Sequence, residues 1–198
     1  MDVQLFIFIL VLVCVIIIFY FKFTNPDMTY IKSDVDGLFY LVRNVPDKQE
    51  ASNTLAKLRQ NVLTLSDNLY TNINNPENAN YKQYITRLHE RARDIIILES
   101  TQDSIYTSYS INKGEQIVFC LRKRVLPNQL HDINLMMYVV LHEISHVACP
   151  IYDNHGPLFR EIFNFITLNA MKLGMYTKID FRSRPENYCG LMITDSIV

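Results

Sequence analysis

Val139-Val140-Leu141-His142-Glu143-Ile144-Ser145-His146-Val147-Ala148-Cys149 carries the pattern H-E-x-x-H inside an apolar frame. From about Asn134 the apolar positions Leu135, Met136, Tyr138 and Val139 recur with helical spacing, and Pro150 stops the run. His142 and His146 are four apart, so on a helix they stack one turn above the other on one face. Two imidazoles placed in that way can point at one metal ion. Glu143 lies about 100° further round. That is too far to ligate beside both histidines, yet near enough to reach a water on the metal as a general base. Val139, Val140, Ile144 and Val147 give the helix surface to bury, which suits a site held in a rigid, dry wall. The bland alternative is two satisfied histidines on a surface helix.

A catalytic zinc site needs a third protein ligand and one open position. His155 is the leading candidate, with Asp153 and Glu161 behind it. Cys149 shares the His142/His146 face, but a cysteine there is more often simply buried. His131 precedes the helix and reads as a surface or capping histidine. His89, among arginines and glutamates, reads as part of a solvated face. Tyr188, next to Cys189-Gly190, is either a packed aromatic or a donor to a developing oxyanion.

Working outward, Pro157 to Leu173 predicts the next helix, with Pro157 in its first turn and Gly174 past its end. Upstream, Ile105 to Ile111 and Gln116 to Leu121 flank Asn112-Lys113-Gly114 and predict a β-hairpin. Either strand could pair with an extended substrate. Asp47 and Glu50 have the spacing of a capping box. Ala51, Leu55, Leu58, Val62, Leu65 and Leu69 then form one apolar helical stripe, ended by Asn74-Asn75-Pro76. Tyr81, Tyr84, Ile85 and Leu88 mark a shorter helix. The predicted fold class is α+β, with helices around one small antiparallel sheet.

The 198 residues carry 19 basic and 20 acidic side chains, a net charge of −1. That balance gives no strong nucleic-acid signal, because phosphate binding needs a basic excess. Arg122-Lys123-Arg124 and the arginines at 87, 91 and 93 read as solvated surface. Cys120, Cys149 and Cys189 show no short spacing, so they read as small buried thiols in a reducing compartment, with one disulfide pair as the other reading.

The N-terminus predicts something different. From Val3 to Phe21 only Gln4 is polar, and such a helix would span roughly 28 Å, near a bilayer's hydrocarbon thickness. There is no basic leader and no small-residue cleavage site. Residues 1–23 therefore read as a single-pass anchor and 24–46 as a juxtamembrane segment. Lys22 and Lys32 favour the following domain on the cytoplasmic side. The lipid bilayer is then an expected partner.

His142-Glu143-Ile144-Ser145-His146 followed by His155-Gly156-Pro157-Leu158-Phe159 resembles the SprT-like and WLM groups of zincin metallopeptidases. The layout is also similar to uncharacterised metallopeptidase-like proteins of large DNA viruses. The spacing between the second and third histidines differs from both groups, which leaves the subfamily open. The resemblance implies Zn2+ bound by His142, His146 and His155, with Glu143 catalytic. It implies a zincin-like domain over 47–198 that hydrolyses peptide or protein substrates at a membrane of a host cell or virion. The alternatives are a non-enzymatic membrane-anchored structural or interaction protein with a zinc-stabilised domain, and a DNA-processing peptidase whose apolar N-terminus is incidental. The oligomeric state stays open.

Overall fold

The structure, a computed structural model, describes residues 3–24, 27–112, 114–125, 129–150 and 155–198. Its centre is built on the long helix α2 (Lys48–Thr71), which follows a first helix α1 (Val3–Thr24) and the strands β1 (Met28–Lys32) and β2 (Phe39–Arg43). The α2 stripe from Ala51 through Leu55, Leu58, Val62 and Leu65 to Leu69 is buried. Its apolar face packs between the remaining helices and the sheet. Asp47 does not cap α2 with its side chain. Its carboxylate instead accepts a hydrogen bond from Arg122 Nη2 at 2.7 Å.

A 3-10 turn (Pro76–Tyr81) leads into α3 (Lys82–Ala92), whose Ile85, Leu88 and Ala92 are buried. The main sheet follows. It contains β3 (Ile96–Glu99), β4 (Ser108–Ile111) and β5 (Gln116–Phe119) in the order β3-β5-β4. β4 and β5 form the antiparallel hairpin, shorter than the expected strands, and Lys113 of its turn lies outside the described residues. β3 joins β5 in parallel. The sheet is thus mixed, not purely antiparallel, with α2 packed on β3 and α4 on β4. β1 and β2 pair with each other as a separate hairpin. Ser52 and Gln49 of α2 donate to the carbonyls of Ile31 and Lys32 and hold that hairpin to the core.

The second half contributes α4 (Ile133–Ala148), α5 (Pro157–Lys172) and a C-terminal hairpin of β6 (Glu186–Tyr188) and β7 (Leu191–Ile193). Asp132 caps α4, accepting from the backbone N–H of Asn134 and Leu135. Cys189 (φ 51) and Gly190 (φ 89) form the two-residue turn between β6 and β7, both in the left-handed region that such a turn requires. Cys189 is disulfide-bonded to Cys120 at the end of β5, with Cα atoms 6.4 Å apart. This corrects the reading of isolated thiols.

Arg122 also departs from the sequence reading. It is fully buried, its guanidinium hydrogen-bonded to Glu99 as well as Asp47. Glu99 accepts from the backbone N–H of Arg43 at 2.7 Å, and the Arg43 side chain donates to the carbonyls of Ser100 and Thr101. The acceptors come from segments remote in sequence, so a local charge run gave no sign of them.

The membrane reading is overturned. Among the described residues no helix is long and apolar enough to cross a membrane. In α1 the described side chains are Gln4 and the exposed run from Ile7 to Ile17. That run rises roughly 17 Å, about half of a bilayer's hydrocarbon core. The flanking side chains on which the span relied lie outside the described residues. The transmembrane helix, the bilayer as partner, and the single-pass localisation with its cytoplasmic domain fall with it.

Candidate metal centre and its cleft

α4 is buried over almost its whole surface. Val140, Leu141, Ile144 and Val147 are fully inside, and the Ser145 hydroxyl donates back to the Leu141 carbonyl at 2.6 Å. The β4–β5 turn presses against it closely. A Cβ on Gly114 (φ +93) would come within 2.5 Å of Val147 Cγ2, so only glycine fits there. His142 and His146 occupy the one partly open face. α5 starts at Pro157 behind Gly156, and His155 precedes them with φ 59. Histidine tolerates this left-handed conformation better than most residues. The His155 imidazole is turned back toward α4.

The three rings converge. His142 Nε2 lies 3.2 Å from His146 Nε2 and 3.0 Å from His155 Nε2, and the latter two nitrogens are 3.0 Å apart. Their ring centroids are 4.7–4.9 Å apart, so the nitrogens are the inward ends. A tetrahedral zinc with Zn–N bonds of about 2.0–2.1 Å places its nitrogens roughly 3.3–3.4 Å apart. Three lone pairs aimed at one point repel unless a cation sits among them, so these histidines fit a metal ion. Phe159, 2% exposed, stacks on His146 at 4.2 Å and meets both other rings edge-on near 5 Å. Burial, and then the two neighbouring imidazoles, push His142 down to about 3, which keeps it in the neutral form that ligates.

Glu143 is buried beside this cluster without belonging to it. Burial raises its carboxyl to about 7, and a cation at the histidines would pull it back down. His142, Glu143 and His155 all line a cavity of about 410 Å3. Its other walls are Thr107 and the start of β4 at Ser108, α4 at Tyr138 and Val139, and the C-terminal hairpin at Tyr188, Leu191 and Ile193. Of the two strands of the hairpin, β4 is the edge of the sheet and the one that borders the cavity. Tyr188 is buried, and its hydroxyl is 2.6 Å from Ser108 Oγ. Burial is also the main reason its phenol titrates above the usual range.

The remaining candidates lie elsewhere. Asp153 falls outside the described residues. Glu161 accepts from Tyr81 Oη at 3.1 Å and is not in the cluster. Cys149 is buried and is not in it either. His131 is not a surface residue. It is 5% exposed, with Nε2 3.3 Å from Cys189 Sγ. His89 stacks on Tyr70 and pairs with Asp67. The sequence reading offered the strand that holds Ser108 as one of two candidates for the cleft wall, but it missed Leu191, whose position alone does not reveal which face looks at the histidines.

No family model matches the chain. It is 41% identical over 177 residues to uncharacterised protein R325 of Acanthamoeba polyphaga mimivirus, covering 89% of this chain and 88% of that one. It is 35% identical over 85 residues to uncharacterised protein 136R of Invertebrate iridescent virus 6, covering 41% and 44%. Among solved structures, a mutant of Wss1 from Saccharomyces cerevisiae gives a TM-score of 0.45 at 16% identity, over 68% of this chain and 91% of that one. A second Wss1 structure gives 0.45 at 17%. At that score the likeness does not establish a shared fold.

Proposed function

The chain belongs to the same family as protein R325 of Acanthamoeba polyphaga mimivirus, a relationship that carries no activity with it, and we propose from the site itself that it is a zinc-dependent peptidase of the zincin kind. Residues 47–198 are its catalytic domain, and His142, His146 and His155 hold the metal. The observation that carries this reading is the convergence of three Nε2 atoms beside a buried carboxylate, at the wall of an open cavity. Structural zinc sites close around four protein ligands, and three with space beside them is the catalytic pattern.

Zinc supplies Lewis acidity at this position, activating water and polarising a peptide carbonyl. The residues supply the rest. Phe159 and the walls of α4 fix the three imidazoles. Glu143 takes a proton from the attacking water and delivers it to the leaving amine. β4 offers an edge on which an extended substrate can lie.

The test is Glu143→Gln against wild type, with zinc measured by plasma mass spectrometry and hydrolysis by a quenched fluorescent peptide pool. The amide keeps the shape but accepts no proton. Zinc should remain near one per chain while hydrolysis drops by two orders of magnitude or more. Equal hydrolysis by both proteins would leave a metal-stapled, non-enzymatic domain as the better account.

A further inference from the structure

The cavity beside the histidines has a chemistry of its own. Among the described residues that line it, none is charged apart from the histidines and Glu143. Its two phenols have their hydroxyls engaged, Tyr188 with Ser108 Oγ at 2.6 Å and Tyr138 with the backbone N–H of Ile197 at 3.3 Å. Both therefore offer ring surface. Val139 adds an aliphatic wall, and Ile193 closes the far side. At the rim stands Leu191, 54% exposed, a large apolar side chain that folding leaves in water. A volume of about 410 Å3 admits one large side chain with the backbone that carries it.

We infer that this cavity selects substrates carrying a bulky uncharged side chain, aromatic or branched aliphatic, which seats between Tyr138, Val139, Ile193 and Leu191. The inference rests on the peptidase reading for its consequence in catalysis, but the recognition itself belongs to the pocket. A carboxylate or ammonium seated among those four side chains would lose its water and find no opposite charge on any of them. Leu191 sets the rim, so a charge introduced there should invert the preference.

The experiment uses the full chain and a set of Gly/Ala/Ser hexapeptides with one guest residue, Phe, Leu, Asp or Lys, moved through each position. Cleavage is followed with wild type, and binding is followed by fluorescence anisotropy with Glu143→Gln. Phe and Leu guests should exceed Asp and Lys guests by tenfold or more in kcat/KM and in affinity, at one position of the peptide. Leu191→Lys should favour Asp over Phe. Met192→Lys, on the same strand, equally exposed and outside the lining, should keep the wild-type order. Cleavage that ignores the guest residue would overturn the pocket and leave the peptidase standing. Preferential binding of Phe peptides, lost in Leu191→Lys but without cleavage by wild type, would keep the pocket and sink the peptidase. Neither preference in binding nor in cleavage overturns the inference.

Discussion

Ser108 Oγ and Tyr188 Oη lie 2.6 Å apart, so the edge strand of the main sheet is fastened to the C-terminal hairpin across the floor of the cleft. Tyr188→Phe removes that bond and strands the Ser108 hydroxyl in a half-buried place. We expect a loss of about 1 kcal/mol, read as a lower urea midpoint with an unchanged slope. Ser108→Ala should cost a similar amount, and the double variant clearly less than the sum of the two.

Metal should stabilise the fold through the histidines. At a hundredfold excess of zinc over its Kd, stabilisation of about 2.7 kcal/mol is expected, a shift of several degrees in Tm. His155→Ala should abolish this shift, because two imidazoles on α4 alone do not complete the tripod. Cys149→Ser should retain it, since Cys149 is outside the cluster.

The Glu99–Arg122 pair is buried on both sides. Glu99→Gln leaves Arg122 with Asp47 alone and removes the neutralising charge from Arg43. Breaking a buried pair costs about 3–5 kcal/mol. Chemical denaturation at neutral pH should show this loss. Zinc stoichiometry in whatever fraction stays folded should be unchanged, because these residues do not touch the histidines.

Acid should weaken the protein through His131. Burial, and then the charge of Lys123, lower this imidazole from 6.5 to about 4. Among the described residues its buried Nδ1 has no hydrogen-bond partner. The unfolded chain takes up a proton near pH 6.5 and the folded chain does not until about pH 4. The unfolded state therefore binds more protons in that window, and stability falls as pH drops through it, by on the order of 2–3 kcal/mol. Above pH 7 this group contributes no slope. Stability curves of wild type and His131→Gln, measured from pH 7 to 4, should differ in slope only below about 6.5.

Legibility in the sequence followed the range of each interaction. The α2 stripe and the His142/His146 pair are set by one helical turn, so spacing alone reveals them. His155 needed a second cue, the Gly156-Pro157 helix start. The residues that defeated sequence reading are those completed from afar. Arg122 looked like one of three solvated cations because its acceptors, Asp47 and Glu99, are 75 and 23 positions away. β3 is four residues long and parallel to β5, with β4 lying between the two in sequence, so neither alternation nor a turn announces it. Cys120 and Cys189 are separated by 69 positions, and no spacing rule connects them.

That disulfide closes a covalent ring around α4, α5 and the cleft wall, and His142, His146 and His155 all lie inside it. When the chain unfolds under oxidising conditions that ring stays closed, and the freedom it withholds is that of the unfolded polymer. Reduction should therefore lower stability by about 2–5 kcal/mol. The histidines are neighbours along the chain with or without the ring, so the stabilisation that zinc confers should be the same for the oxidised and the reduced protein.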